Sequence, residues 1–168
     1  PYLDLKVKLK DYKKNGKSLL IKINSHPCSG KSTFINKYHD NYKGFKLYDY
    51  DWFDKDRSSS LLLEINEHKS VLLGSHKGGF SSSHENDTDK FTEVIYIYVI
   101  PKLMSLYKYI VHRQLSSQVT TLKNPNNNPQ KIFEYRNSIY SYVINDNVQI
   151  KPLFYSYEEA LDFCSNSI

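Results

Sequence analysis

The sequence of 168 residues has few of the features that mark several large classes of protein. It contains two cysteines, Cys28 and Cys164, which are too few for the disulfide framework of a small secreted protein. We therefore expect a reducing, cytoplasmic location. No run approaches the roughly 20 apolar residues that a membrane span requires, so we expect no membrane partner. With 39% hydrophobic and 24% charged residues, the composition also argues against a disordered chain.

Arginine is also scarce, since only three of the 23 basic residues are arginines. The 18 acidic residues leave a net charge of +5, which is a mild positive excess. A positive field favours phosphate-bearing ligands, so the charge is compatible with a nucleic-acid partner. The sequence shows no dedicated basic stripe, and charge alone therefore does not identify that partner.

Hydrophobic periodicity predicts strands that alternate with helices. The alternation LDLKVKLK at 3–10 predicts a half-buried strand, which we assign to an N-terminal strand or hairpin extension over 1–17. Further strands are predicted at 18–24, 45–50, 70–74, 94–100 and 148–154. Helices are predicted at 31–38, 58–67, 101–115, 131–144 and 157–164. This alternation indicates a single α/β domain over 1–168, with three layers around a five-stranded parallel core sheet.

The clearest chemical signal lies at 25–32, where SHPCSGKS follows a predicted strand and opens a predicted helix. It matches the phosphate-binding pattern G-x-x-x-x-G-K-[ST], with Ser25 where the first glycine usually stands. Gly30 lets the backbone approach phosphates, and N–H groups at a helix N-terminus attract anions. We expect Lys31 to reach the β- and γ-phosphates of ATP and Ser32 to ligate Mg²⁺. The predicted ATP-binding residues of the loop are Ser25, His26, Pro27, Cys28, Ser29, Gly30, Lys31, Ser32 and Thr33.

Acidic and aromatic residues follow the strand predicted at 45–50. Open α/β sheets bind ligands at the carboxyl ends of their strands, which makes Asp51 a candidate site residue. Asp49 should point the same way as Asp51, and we predict that it assists the metal. Trp52 and Phe53 could stack on a nucleobase, although ordinary core packing explains them equally well. His76, after the third predicted strand of the core sheet, is a further candidate for substrate contact.

Three stretches resemble the small P-loop kinases, which include nucleoside and nucleotide monophosphate kinases and the kinase domains of polynucleotide kinases. They are SHPCSGKSTFINKY, GFKLYDYD and IYIYVIPKLMSLYKYIVHR. The resemblance covers about residues 18–160 and implies a P-loop kinase fold with a small lid at 113–131. It implies ATP- and Mg²⁺-dependent phosphoryl transfer in which Asp51 accepts the proton of the attacking hydroxyl. Arg113 and Arg136 resemble the lid arginines that contact phosphate.

The sequence departs from that family at one position that bears on catalysis. The strand at 70–74 runs into Ser75 and His76, where many relatives carry an aspartate that organises Mg²⁺ through water. We expect phosphoryl transfer to a nucleoside, nucleotide or similar small acceptor. The alternatives are a polynucleotide 5′-hydroxyl kinase and a non-enzymatic ATP-binding module. Hydrolysis of the GTPase or motor type is disfavoured, because no strand of four aliphatic residues ends in aspartate.

Overall fold

The computed structural model describes residues 2–15, 19–26, 28–38, 41–49, 70–75, 93–116, 128–144 and 152–168. The strands in these ranges are β1 Leu19–Ser25, β2 Lys46–Asp49, β3 Ser70–Ser75, β4 Glu93–Val99 and β5 Leu153–Phe154. The helices are α1 Tyr2–Asn15, α2 Lys31–Tyr38, α3 Leu103–Ser116, α4 Pro129–Ile144 and α5 Tyr157–Ser167. The predicted α/β class is confirmed.

The strands pair in parallel in the order β2-β3-β1-β4-β5. Strand β1 lies in the middle, where Ile21 pairs with Val71 on one side and with Ile95 on the other. Every residue of β1 is buried, as expected for a parallel strand with both faces covered. From β1 the chain builds β2 and β3 on one side and β4 and β5 on the other. The carboxyl end of β1 is therefore a topological switch point, where such sheets bind ligands.

Helices cover both faces of this sheet. On one face, Ile21 and Ile97 share a core cluster with residues of α1, α2 and α5. On the other face, Tyr98 of β4 contacts Ile139 and Val143 of α4. Neighbouring residues of β4 belong to different clusters because side chains alternate across a strand.

The N-terminal segment is a helix, so the predicted strand is wrong. Leu5 and Leu9 are 2% and 0% exposed, and Tyr12 packs against the same cluster. Leu3 and Val7, which a strand would have buried with them, are 74% and 50% exposed. The buried residues follow one another at i, i+4 and i+7, which is the spacing of one helix face.

The error has a simple physical origin. In the window 3–10, positions four apart share a face in a strand as well as in a helix, so the spacing of Leu5 and Leu9 fits both periods. The charges at the ends favour the helix, since Asp4 lies in its first turn and Lys13 and Lys14 in its last. Each of these charges has the sign that interacts favourably with the helix dipole at its own end of the helix. Within the extension predicted over 1–17, residues 2–15 therefore form a helix packed on the core.

Several predicted elements fall partly or wholly outside the described residues. These are the helix at 58–67, most of the lid at 113–131 and the first part of the strand at 148–154. The helix predicted at 157–164 is confirmed as α5, and Ser156 caps it by accepting a 3.1 Å hydrogen bond from the backbone N–H of Glu159. Within the described ranges, no helix has the length and apolarity needed to cross a bilayer.

Candidate phosphate-binding site

The candidate phosphate loop joins the central strand to the helix that follows it. Strand β1 ends at Ser25 and α2 begins at Lys31, as the motif requires. The first helical hydrogen bond of the turn runs from the N–H of Phe34 to the carbonyl of Gly30, at 2.9 Å. The loop thus leaves the middle of the sheet at its switch point and ends at a helix N-terminus.

Ser25 replaces the usual glycine without a conformational cost. It is the last residue of β1 and is not among the described residues with a positive φ. Its hydroxyl donates a 2.6 Å hydrogen bond to the carbonyl of Val99, at the end of β4. The serine therefore joins the carboxyl ends of two adjacent strands beneath the loop.

The left-handed conformations of the loop occur at Cys28 and Gly30, with φ of 64° and 91°. This region costs a residue with a Cβ about 1–2 kcal/mol, so Cys28 is strained. Cys28 packs against the cluster that Leu106 and Ile110 of α3 form with Ile132 of α4. A Cβ at Gly30 would lie 3.8 Å from the ring of Tyr109. Helix α3 therefore lies against the phosphate loop.

A buried hydroxyl pair holds the loop from the other side. Ser29 and Tyr157 lie 2.7 Å apart through their hydroxyl oxygens and are 4% and 2% exposed. Burial raises the pKa of Tyr157 to about 12, although its hydrogen bonds with Ser29 and Ser25 act in the opposite direction. The phenol therefore stays protonated at neutral pH. No local sequence pattern signals this contact, because the two residues are 128 positions apart.

Lys31 and Asp49 form a buried ion pair. The ammonium nitrogen of Lys31 lies 3.1 Å from Oδ1 of Asp49, and the side chains are 9% and 12% exposed. The lysine begins α2 and the aspartate ends β2, so the pair joins the phosphate loop to the second strand. The structure thus brings together two of the residues that the sequence singled out. The carboxylate keeps the ammonium at the loop.

The first turn of α2 offers further polar groups. Ser32 and Thr33 are exposed there, and no acidic residue lies in that turn. The partial positive charge of the helix N-terminus is therefore not offset by a carboxylate of the same turn. Together with Lys31, this arrangement can bind an anion such as a polyphosphate.

The remaining predicted site residues lie in different parts of the molecule, and some of them are outside the described ranges. His26 is fully buried directly after β1. Arg136 donates from Nε to the carbonyl of Pro101 at 3.2 Å, and its guanidinium lies 5.7 Å from the ring centroid of Tyr140. It therefore attaches α4 to the segment after β4. Arg113 lies in α3, but its side chain is not among those that the structure describes. Also outside the described residues are Pro27, Asp51, Trp52, Phe53 and His76.

No protein-family model matches the sequence, and a search of curated proteins finds no match. Among solved structures, one described as "Crystal structure of APE1195" is similar over 77% of this chain and 97% of that chain. The identity is 17% and the TM-score is 0.31. A likeness of this size carries no conclusion about fold or function.

Proposed function

We propose that the chain binds ATP at the loop 25–33 and transfers its γ-phosphoryl group to a nucleoside, nucleotide or similar small acceptor. The observation that carries the proposal is the position of Lys31. Its ammonium is held at the start of α2, directly after a loop that leaves the central strand at the switch point. A buried cation, an N-terminal helix turn and a glycine with positive φ together form a site for a chain of phosphates.

Magnesium fits the oxygen donors that the described residues provide. Mg²⁺ is usually held by one or two carboxylates together with substrate phosphates and water. Asp49, at the end of β2, provides a carboxylate, and Ser32, in the first turn of α2, provides a hydroxyl. The ion pair of Asp49 with Lys31 brings that carboxylate to the loop. Within the described part of the chain, no cluster of three or more His, Cys, Asp or Glu forms a separate metal site. Bound with ATP, the ion would neutralise charge on the phosphates.

A non-enzymatic ATP-binding module is the second candidate, and β3 favours it. This strand lies beside β1 and pairs Ser75 with Ser25 at the carboxyl ends of the two strands. The neighbouring strand therefore brings a serine to the loop, where many of the kinases that the sequence resembles carry an aspartate. Binding without turnover would follow from that loss.

Two measurements test the proposal. Calorimetry with ATP and Mg²⁺ should show binding to a single site. A radiolabelled-ATP screen should then show transfer to one class among nucleosides, nucleotides, sugars and 5′-hydroxyl oligonucleotides. Binding without transfer to any of them would favour the module, transfer to the oligonucleotide would identify the polynucleotide kinase, and no binding would reject the site.

Asp51→Asn tests the chemistry once an acceptor is known. If the carboxylate of Asp51 takes the proton of the attacking hydroxyl, the variant should bind ATP normally. Its turnover should fall about 10²–10⁴-fold, the usual contribution of a general base. Asp49→Asn is the comparison, since it should change the Mg²⁺ dependence more than the rate of transfer. Full transfer by Asp51→Asn would exclude this role.

A further inference from the structure

A polar depression lies toward the opposite end of α5 from the phosphate loop. It is a groove of about 310 Å³ between α1 and α5, lined by Lys6, Lys10, Phe163, Asn166 and Ser167. Phe163, Asn166 and Ser167 lie in the C-terminal half of α5, whereas Tyr157, the first residue of this helix, contacts the loop. At 1.5 Å per residue, Tyr157 and Asn166 are about 13 Å apart along the helix. The groove is therefore separate from the candidate ATP site.

Helix formation concentrates positive charge on the flank of α1 that borders this groove. Lysines follow one another there at i, i+4, i+7 and i+8, and all of them are exposed: Lys6, Lys10, Lys13 and Lys14. The other flank carries Asp4, Lys8 and Asp11, also at i, i+4 and i+7. Residues with these spacings share one side of a helix. The basic stripe that the sequence did not show is thus a product of the fold.

The charges in the groove are available to a ligand. Within the part of the chain that the structure describes, neither Lys6 nor Lys10 forms an ion pair with a carboxylate. The ammonium of Lys6 lies over the ring of Phe163, 5.4 Å from its centroid. The α5 side of the groove adds the exposed amide of Asn166. Such a groove is complementary to an anion with several charges.

The aromatic ring distinguishes between kinds of polyanion. Phe163 packs against the rings of Tyr2 and Phe154, with centroids 5.9 Å and 5.4 Å away. The position of Lys6 shows that a face of the Phe163 ring is directed into the groove. A basic groove that follows a phosphate backbone, combined with an aromatic ring on which bases stack, is characteristic of single-stranded nucleic acid sites.

We infer that the groove between α1 and α5 binds single-stranded nucleic acid. Lys6 and Lys10 contact successive phosphates, and Phe163 stacks on a base. A bound phosphate draws the ammonium of Lys6 away from the ring and so opens the ring face. The inference does not depend on ATP binding at the loop, because none of the groove residues belongs to that site.

The test is fluorescence anisotropy with labelled oligodeoxythymidylate at increasing salt. Lys6→Gln/Lys10→Gln is compared with Lys8→Gln/Lys37→Gln, which removes the same charge from exposed positions outside the groove. Each phosphate contact adds about 0.7 to the slope of log affinity against log salt for single strands. We therefore expect the groove variant to lose about 1.4 from that slope. The control should retain the wild-type slope.

A second variant tests the stacking. Phe163→Leu, with folding checked by thermal denaturation, should weaken binding about tenfold and leave the salt slope unchanged. Equal slopes in the two lysine variants would overturn the inference. So would binding of polyglutamate or phosphatidylserine vesicles with the same dependence on Lys6 and Lys10, or displacement of the oligonucleotide by ATP.

Discussion

The two ends of α5 meet their surroundings in opposite ways. At its first residue, the hydroxyl of Tyr157 is buried and lies 2.7 Å from that of Ser29 in the phosphate loop. At its other end, Phe163 lines an open groove beside the exposed Lys6 and Lys10. A buried hydroxyl holds its partner in place, because leaving it without a hydrogen bond costs free energy. Exposed charges attract anions at longer range, and added salt screens that attraction. One helix therefore contributes to two surfaces of different chemistry, and each of them is the subject of a proposal made above.

Lys31→Ala should produce the largest difference between the two ends. Hydrogen bonds to charged groups contribute about 1.5–3 kcal/mol, so ATP affinity should fall roughly 10- to 100-fold. Oligonucleotide binding at the groove should not change. Calorimetry and anisotropy measure the two effects on the same protein.

Two further variants control that experiment. Lys31→Ala/Asp49→Asn removes the carboxylate charge that Lys31→Ala leaves in a buried position, so comparing the unfolding free energies of the two variants measures the stability cost of that unpaired charge. Lys37→Ala changes an exposed lysine in the last turn of α2 and should bind ATP normally. Unchanged ATP affinity in folded Lys31→Ala would contradict the phosphate-loop assignment.

Tyr157→Phe should have the next largest effect. The substitution keeps the ring, which contacts Phe34, but removes the hydroxyl that pairs with buried Ser29. We expect the free energy of unfolding to fall by about 1–3 kcal/mol. Ser167→Ala at the other end of α5 removes a hydroxyl that donates to the carbonyl of Phe163 and should cost less than about 0.5 kcal/mol. Urea denaturation that gave equal losses would remove the contrast between the ends.

Cys28→Gly should stabilise the loop relative to Cys28→Ala. Both variants remove the thiol, but only glycine adopts a φ of 64° without strain. Glycine also gains freedom in the unfolded chain, so we expect a net advantage of about 0.5–1 kcal/mol over alanine. Equal denaturation midpoints would mean that the strain at Cys28 does not affect stability.

The smallest effect concerns Asp162, near the middle of α5. The hydrogen bond from Lys43 lowers the pKa of this carboxyl, and the one from Tyr42 acts in the same direction. A carboxyl with a lowered pKa stabilises the fold above its ordinary value of 3.8, and that stabilisation is lost as the pH falls through the folded pKa. The side chain is 38% exposed, so we expect only a few tenths of a kcal/mol.

Asp162→Asn measures that contribution by denaturation at several pH values. The wild type should be slightly more stable at neutral pH, and the difference should disappear in acid. A difference that persisted below the lowered pKa would assign the effect to packing.

The elements around the candidate site were predictable because their signals are local. Strand β1, the loop and α2 differ from their predicted limits by one residue or none. A run of aliphatic residues, a glycine-lysine-serine turn and a helical spacing follow one another without ambiguity there. The N-terminal segment was not predictable in the same way, because Leu5 and Leu9 share a face in either secondary structure.

The sequence by itself determined the α/β alternation, the position of the candidate phosphate loop and the identity of Lys31 within it. These features depend on residues that are neighbours along the chain. Only the tertiary structure decided which partners the loop has: Asp49 for Lys31, Tyr157 for Ser29 and Val99 for Ser25. It also brought Phe163 beside the lysines of α1. Contacts between residues this far apart follow from strand order and helix packing, which the local pattern of side chains does not contain.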